Sequence, residues 1–146
     1  MKFSILIFSI VFILPVQSCS NRSCDYPAEV RTLEFYSFDF SNLDSAMIFT
    51  TDANNNTDTA FIQESSIIET VGQNRHTVRL SPYLTAGNTY IIKLNNGRQF
   101  EIKDFEFNTV ECKESTFARK EDVLRLGVVK VNGYRVSCIG NLRFYP

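Results

Sequence analysis

The sequence predicts an all-β domain, and two kinds of observation support that prediction. From Glu29 onward the chain consists of short alternating segments rich in Phe, Tyr, Ile, Val and Thr, separated about every ten residues by Asn, Asp, Gly or Pro. Alternation with a period of two is typical of half-buried strands, and turn signals at this spacing indicate a β-sandwich or a barrel. Two Asn-Gly pairs, ending at Gly97 and Gly133, lie between alternating segments and predict tight hairpins, because this pair tolerates positive φ angles.

Seven strands are predicted before the C-terminal tail. The phase of the aromatic residues slips within the last of them, since Phe105 and Phe107 do not alternate with Phe100 and Ile102, and this slip predicts a β-bulge. In the tail, residues 115–126 predict a short helix or a loop, and residues 126–139 predict a further hairpin. The seven predicted strands cover residues 30–38, 46–51, 59–64, 67–71, 77–80, 89–94 and 98–107.

Three residues near the middle of the chain point to a more specific architecture. Leu84, Gly87 and Tyr90 are spaced as in the tyrosine corner of fibronectin type III and immunoglobulin-like sandwiches, which this segment resembles. In that family the tyrosine begins strand F and its hydroxyl bonds to upstream backbone. The resemblance implies an immunoglobulin-like antiparallel β-sandwich, although the chain lacks the tryptophan usual in strand C. The tail would then be an appended C-terminal hairpin, or it would complete a barrel of another topology.

The N-terminal residues have the three-part layout of a signal peptide, with one charge at Lys2, an apolar run over 3–14 and a short polar end. A membrane-spanning helix needs about 20 apolar residues, and Pro15 ends this run before that length. Residues 16–19, Val-Gln-Ser-Cys, resemble the lipobox of bacterial lipoproteins, and the leader is most similar to those of the Bacteroidetes. The resemblance implies cleavage before Cys19 and acylation of its thiol. An ordinary leader peptidase would cut the same bond and leave a secreted protein.

The chain therefore divides into a signal peptide over 1–18, an anchor and tether over 19–28, and one β-sandwich domain over 29–146. The mature part has 14 basic and 16 acidic side chains, a charge of −2, and no basic patch indicates nucleic-acid binding. The resemblance to Bacteroidetes lipoproteins implies the outer membrane of a bacterial envelope as the location. In those lipoproteins surface export tends to need acids just after the lipidated cysteine, and residues 20–23 contain none, so the resemblance favours the periplasmic face over the cell surface, with both faces left open.

Three cysteines remain if Cys19 is acylated. An exported chain permits disulfides, and the favoured pair is Cys112 with Cys138, which leaves Cys24 as a free thiol near the anchor. The other pairings stay open.

The sequence offers few groups for catalysis. His76 is the only histidine, so a Ser-His-Asp arrangement would have to include it, and no G-x-S-x-G segment supplies a nucleophile. Its place between Arg75 and Thr77 predicts a solvated surface histidine. No cofactor is expected.

One loop has the spacing of metal ligands. Asp52, Asn54, Asn56 and Asp58 place side-chain oxygens at every second residue, as calcium loops do. The alternative is an ordinary turn between strands, because Asn and Asp bond to nearby backbone. The ordinary turn is favoured, and the calcium loop remains the weaker hypothesis.

Acidic and aromatic residues give two further hypotheses. Glu101, Asp104 and Glu106 lie in one predicted strand and are interpreted as its solvated side. The segment 35–40 carries aromatic residues on both faces, so that one face is a candidate exposed patch for binding.

The resulting functional hypothesis is a non-enzymatic, lipid-anchored binding or accessory module for an envelope protein or a glycan. One alternative is a small hydrolase that uses dispersed carboxylates. A second alternative is a structural subunit of an adhesin or fimbria, which would present a strand edge to another chain.

Overall fold

A computed structural model describes Cys24 and residues 26–70, 73–112 and 120–146 of the protein. The predicted signal peptide and the lipidation site Cys19 lie outside these residues. The described part contains the helix α1 (Phe40–Leu43) and a 3₁₀ turn, Glu64–Ser66. Within it, no helix has the length and apolar character needed to span a membrane. Its strands are β1 (Val30–Tyr36), β2 (Met47–Thr51), β3 (Thr57–Phe61), β4 (Ile67–Thr70), β5 (Arg75–Leu84), β6 (Thr89–Lys93), β7 (Gln99–Cys112), β8 (Glu121–Val131), β9 (Tyr134–Ser137) and β10 (Asn141–Phe144).

The strands form two sheets, which confirms the predicted all-β sandwich. Sheet 1 has the order β10-β1-β5-β4, and sheet 2 has the order β3-β2-β6-β7-β8-β9. Neighbouring strands are antiparallel except β1 and β10, which are parallel. Sheet 2 contains four antiparallel pairs of consecutive strands, β2–β3, β6–β7, β7–β8 and β8–β9, whereas sheet 1 contains one such pair, β4–β5, and otherwise joins strands that are distant in the chain.

The core lies between the two sheets, because the alternating apolar side chains of each sheet face the other one. An aromatic cluster joins the sheets at one end of this core: Phe35 of β1 stacks on Phe144 of β10, with ring centroids 4.8 Å apart, and Phe144 contacts Phe100 of β7 at 4.5 Å. The principal buried residues are Val30, Leu33, Phe35, Leu43, Ile48, Val78, Leu80, Ile92, Ile102, Leu126, Val129, Leu142 and Phe144.

Both predicted Asn-Gly turns are confirmed. Asn132 and Gly133 connect β8 to β9 with φ angles of 49° and 82°, and Gly97 has a φ angle of 85° in the turn between β6 and β7. The positive φ at two successive positions is what a two-residue hairpin turn needs.

The predicted β-bulge is also confirmed. The register between β7 and β8 shifts between Lys103 and Glu106 and again between Glu106 and Phe107. Asp104, inside this interval, has a φ of 52°. The first shift places one extra residue on β7 and the second places one extra residue on β8, so the slip in aromatic phase reflects the extra residue on β7.

Strand lengths differ most from prediction in β5 and β7. The corresponding predicted strand covers only residues 77–80 and ends before Pro82, a residue that cannot donate a hydrogen bond within a sheet. In the structure Pro82 lies inside β5, at an irregularity where the pairing with β1 jumps from Arg79 to Leu84. The predicted helix or loop over 115–126 is wrong for residues 121–126, which are part of β8, and residues 115–119 lie outside the described part.

The predicted disulfide between Cys112 and Cys138 is wrong. Cys112 is bonded to Cys24, with Cα atoms 5.9 Å apart, and Cys138 is a buried free thiol. Cys112 pairs with Glu121 at the start of β8, whereas the Cys138 N–H bonds to the carbonyl of Gly127. Six residues of strand separate these positions by about 20 Å, far beyond the reach of a disulfide.

Candidate functional site

A cleft of about 750 Å³ lies between β3 of sheet 2 and β5 of sheet 1. Ligand sites in proteins usually enclose about 300–1,000 Å³ and combine apolar walls with a few polar groups. The cleft has both the size and the composition of such a site.

The cleft exists because the sandwich is open at this corner. β4 pairs with β5 only along Arg75–Val78, so none of the described strands lies on that side of β5 beyond Val78. Opposite, β3 is the edge strand of sheet 2, and all five of its residues are exposed. The chain between β3 and β4 passes through Ile62 and the 3₁₀ turn at the mouth of this gap.

Buried apolar side chains form the floor of the cleft, and polar and aromatic side chains form its rim. The floor consists of Ile48, Ile62, Val78, Leu80, Leu84 and Tyr90. Among the rim residues, Phe61 and Tyr83 are large, apolar and exposed. The guanidinium of Arg31 lies over the Tyr83 ring, 5.7 Å from its centroid, and so supports one wall.

Three charged residues line the cleft: Glu29, Asp58 and Arg79. Glu29 accepts a hydrogen bond from Nε of Arg31 at 3.0 Å, and Asp58 accepts one from the N–H of Thr59 at 2.8 Å. The site therefore presents both signs of charge around an apolar floor. Such an arrangement suits a ligand with an apolar body and several polar groups.

The predicted tyrosine corner forms one end of the cleft. Leu84 and Tyr90 are buried, and the Tyr90 hydroxyl accepts a hydrogen bond from the Thr85 N–H at 2.8 Å and donates one to the Thr85 carbonyl at 3.3 Å. Asn88 donates a further one at 3.1 Å. Gly87 turns the chain with a φ of 88°, a conformation in which a larger residue is strained. The predicted bond between the tyrosine and upstream backbone is thus present.

The loop considered for calcium is a turn between β2 and β3 that is organised around Asp52. One carboxylate oxygen of Asp52 accepts hydrogen bonds from the N–H groups of Asn54 and Asn56, both at 2.8 Å, and the other accepts one from the Asn56 side chain at 2.8 Å. The hydrogen bond from the Asn56 side chain is the main reason why the pKa of Asp52 is lowered. Asp58 instead lines the cleft. Among the described residues, no three His, Cys, Asp or Glu side chains are grouped to hold a metal ion, and calcium binding by this loop stays a prediction.

The prediction that His76 is a solvated surface residue is wrong. Its exposed fraction is 5%, because β5 directs it toward the inside of the sandwich, where it packs edge-on against Phe40 with ring centroids 6.1 Å apart. Its Nδ1 is buried without a hydrogen-bond partner among the described residues. The lining of the cleft begins two residues further along the strand, at Val78.

The acidic residues of β7 lie on the solvated side of sheet 2, as predicted. Glu101 pairs with Lys103 at 3.0 Å and Asp104 with Lys130 at 2.8 Å, while Glu106 pairs with Arg135. The hydrogen bond from Lys130 holds the pKa of Asp104 below its usual value. These carboxylates form ion pairs with neighbouring bases and are not among the residues that line the cleft.

The aromatic segment 35–40 does not form one exposed patch. Phe35 and Phe38 are buried in the core, and Phe40 covers His76. Tyr36 alone reaches the outer face of sheet 1, where it stacks on Tyr145 with ring centroids 5.0 Å apart.

The sequence predicts Tyr90 as part of the tyrosine corner and Asp58 as part of the candidate calcium loop. It does not predict the cleft that both residues line. No local pattern identifies it, because the gap depends on where the pairing of β4 with β5 ends. Comparisons of the chain with protein-family models, with curated proteins and with solved structures gave no match.

Proposed function

We propose that this chain is a lipid-anchored envelope lipoprotein that acts as a non-enzymatic binding or accessory module. Its partner, an envelope protein or a glycan, would enter the cleft between β3 and β5. The observation that carries the proposal is the cleft itself, with a buried apolar floor and exposed Phe61 and Tyr83 on its rim. The signal peptide and the lipobox ending at Cys19 support the location.

The strand order supports an immunoglobulin-like origin for this sandwich. Such folds place strands B, E and D together in one sheet and C′, C, F and G in the other. The orders β1-β5-β4 and β3-β2-β6-β7 correspond to these two sets, and Tyr90 begins the strand that corresponds to F. In this correspondence β10, from the end of the chain, occupies the position of strand A. The β8–β9 hairpin extends sheet 2.

Each alternative function makes use of a specific feature. A hydrolase would act through Glu29 and Asp58, the two carboxylates that line the cleft. A structural subunit would use the free edge of β3, all of whose residues are exposed. Binding in the cleft is preferred because a ligand there would contact the apolar floor, the aromatic rim residues Phe61 and Tyr83 and the charged rim residues together.

Filling the cleft tests the proposal. Ala60 is exposed and lines the cleft, so Ala60→Trp places a large side chain in it, whereas Ala53→Trp places the same side chain on the turn between β2 and β3. Both variants, expressed with the leader, are compared with the native protein by co-purification from detergent-solubilised envelopes. The partner should be lost with Ala60→Trp and retained with Ala53→Trp. Retention of the partner by both variants would contradict binding in the cleft.

Two further measurements separate the alternatives. Hydrolysis of glycan or peptide substrates that disappears in Glu29→Gln or Asp58→Asn would establish the hydrolase. Self-association of the purified protein on gel filtration would favour the structural subunit. The intact mass of the mature protein shows whether the lipid anchor is present, because acylation of Cys19 adds the mass of the acyl chains.

A further inference from the structure

The outer face of sheet 1 carries an unusual concentration of arginine. Leu33, Phe35, Val78, Leu142 and Phe144 face the core, so the residues that alternate with them face solvent. On the three neighbouring strands β10, β1 and β5, these outward residues are Asn141, Arg143, Thr32, Glu34, Tyr36, Arg75, Thr77 and Arg79.

Glu34 lies at the centre of this face and is nearly covered, with an exposed fraction of 6%. Its carboxylate accepts hydrogen bonds from Nε of Arg143 at 3.0 Å, from the Tyr36 hydroxyl at 3.2 Å and from the Asn141 side chain at 3.5 Å. Nη1 of Arg75 is 3.9 Å away. A covered carboxylate is costly unless it is paired, so these donors are held in place around it.

The pairing leaves most of the Arg143 guanidinium available. Arg143 contacts Glu34 through Nε, and its side chain is 60% exposed. Its two terminal nitrogens make no hydrogen bond with any residue that the structure describes. Glu34 thus acts as a positioning residue that fixes the orientation of the Arg143 guanidinium group. A planar guanidinium group is well suited to bind a carboxylate or a sulfate through two parallel hydrogen bonds.

The charge of this face is opposite in sign to that of the chain. Arg143, Arg75 and Arg79, the last of which also borders the cleft, together with Glu34 give the face a net charge of +2, while the whole chain carries −1. A local positive potential on an acidic protein attracts anionic ligands and orients them toward this face.

Tyr36 and Tyr145 add a flat apolar element beside the arginines. The two rings are stacked 17° from parallel, and Tyr145 is 61% exposed. An exposed tyrosine ring next to charged donors is suited to a ligand with both an apolar face and acidic groups, which describes a sugar acid.

We propose that the outer face of sheet 1 binds an acidic polysaccharide, with its carboxylate or sulfate groups on Arg143 and Arg75 and a sugar ring against Tyr145. β10 and β5 flank β1, and the side chains of Arg143 and Arg75 both reach the Glu34 carboxylate, at 3.0 Å and 3.9 Å, so neighbouring acidic groups of one polymer can contact both arginines. Arg143 lies on β10, an edge strand of sheet 1 that pairs with β1 alone among the described strands. A glycan is preferred to an acidic peptide strand because the proposed contacts are made by outward side chains, the guanidinium groups of Arg143 and Arg75 and the exposed ring of Tyr145, and not by the backbone of that edge. This inference concerns a surface other than the cleft floor and does not depend on the anchor.

The test is binding of the purified mature protein to three polymers: polygalacturonate, its methyl ester and polyglutamate. The methyl ester keeps the sugar and removes the charge, while polyglutamate keeps the charge and removes the sugar. The variants are Arg143→Gln and Tyr145→Ala, together with Arg143→Lys, which retains the positive charge and removes the planar guanidinium group. Arg135→Gln is the matched control, since it removes an exposed arginine from β9 in sheet 2.

Polygalacturonate should bind better than both other polymers, and its affinity should fall about tenfold in Arg143→Gln and in Tyr145→Ala while staying unchanged in Arg135→Gln. Unchanged melting midpoints would show that the variants are folded. Absence of polygalacturonate binding, or equal binding of the methyl ester, would overturn the proposal. Equal binding of polyglutamate would identify an acidic peptide as the partner instead, and equal loss in Arg135→Gln would indicate non-specific attraction.

Discussion

At the scale of single residues, the Tyr90 hydroxyl satisfies two backbone groups at once. It accepts from the Thr85 N–H and donates to the Thr85 carbonyl, in a turn that Gly87 makes possible. Removing the hydroxyl in Tyr90→Phe leaves both groups without that partner, so the free energy of unfolding should fall by about 1–2 kcal/mol. Urea unfolding measures the change. Tyr134→Phe, at an exposed turn position, is the control, and equal losses in the two variants would show that the corner contributes no specific stability.

Cys138 is a second residue whose environment predicts its chemistry. Its exposed fraction is 1%, and burial raises the pKa of its thiol from 9.0 to about 11. The folded protein should therefore not react with a thiol reagent near neutral pH, because the thiolate is the reactive form. Unfolding without a reductant should expose one thiol if Cys19 is acylated and two if it is not. In Cys19→Ala, where Cys138 is the one thiol outside the disulfide, a fast-reacting thiol in the folded protein would contradict the burial of Cys138.

The raised pKa of Cys138 also makes the stability of the protein depend on pH. The folded state holds this proton more tightly than the unfolded state, so the contribution to stability is complete below pH 9.0 and is lost as the pH rises toward about 11. The unfolding free energy of the native protein should therefore fall more steeply across this interval than that of Cys138→Ala. Parallel pH profiles for the two proteins would refute the effect.

At the scale of elements, β10 links the end of the chain to the start of the domain. Leu142 and Phe144 enter the core, and the Phe144 ring contacts both Phe35 and Phe100. Truncation of a buried phenylalanine usually costs about 3–5 kcal/mol, through lost burial and the cavity that remains. Phe144→Ala should therefore destabilise the protein by about 3 kcal/mol in denaturant unfolding. Ile139→Ala, an exposed position just before β10, should change it little, and similar losses in both would mean that β10 does not close the core.

The elements that the sequence predicts well are those with local causes. The hairpin turns at Gly97 and Gly133 depend on adjacent residues, and the bulge near Asp104 is visible in the phase of four aromatic and aliphatic side chains. β10 could not be predicted in the same way, because four residues give too short a pattern and its partner β1 lies more than a hundred residues away. Glu34 is a similar case. Its alternation indicates a solvated residue, and the carboxylate is covered by side chains that strand pairing brings to it, Asn141 and Arg143 from β10 and Arg75 from β5.

At the scale of the whole molecule, the features that the sequence could not specify are those set by strand pairing. Loop closure gives little basis for choosing among cysteine pairings, because its entropy changes only slowly with loop length. The actual partner, Cys24, is chosen by the position of Cys112 at the far end of β7, beside the start of β8. The cleft has the same kind of origin, since it opens where the pairing of β4 with β5 ends at Val78.

The Cys24–Cys112 disulfide also predicts how the domain sits relative to the proposed anchor. Cys24 is five positions after Cys19, a span of at most about 18 Å, so the Cys112 end of β7 should lie close to the lipid of the proposed anchor. The segment that follows is also tied to β8, because the Leu126 N–H bonds to the Pro27 carbonyl. The β8–β9 turn lies about 33 Å further along β8, so it should lie further from the membrane.

The chain contains no tryptophan, so a single introduced tryptophan reports on one position without background. Leu124→Trp places it near the Cys112 end of the β7–β8 pair, and Tyr134→Trp places it at the β8–β9 turn; both native side chains are exposed. In vesicles with dansyl-labelled lipid headgroups, energy transfer from tryptophan should be more efficient for Leu124→Trp than for Tyr134→Trp, because transfer falls with distance. Cys19→Ala, which has no acylation site, should show no transfer in either background. Equal energy transfer from both positions of the acylated protein would mean that the disulfide does not orient the domain. Energy transfer from either position, if absent in Cys19→Ala, would still show that the protein is anchored through Cys19.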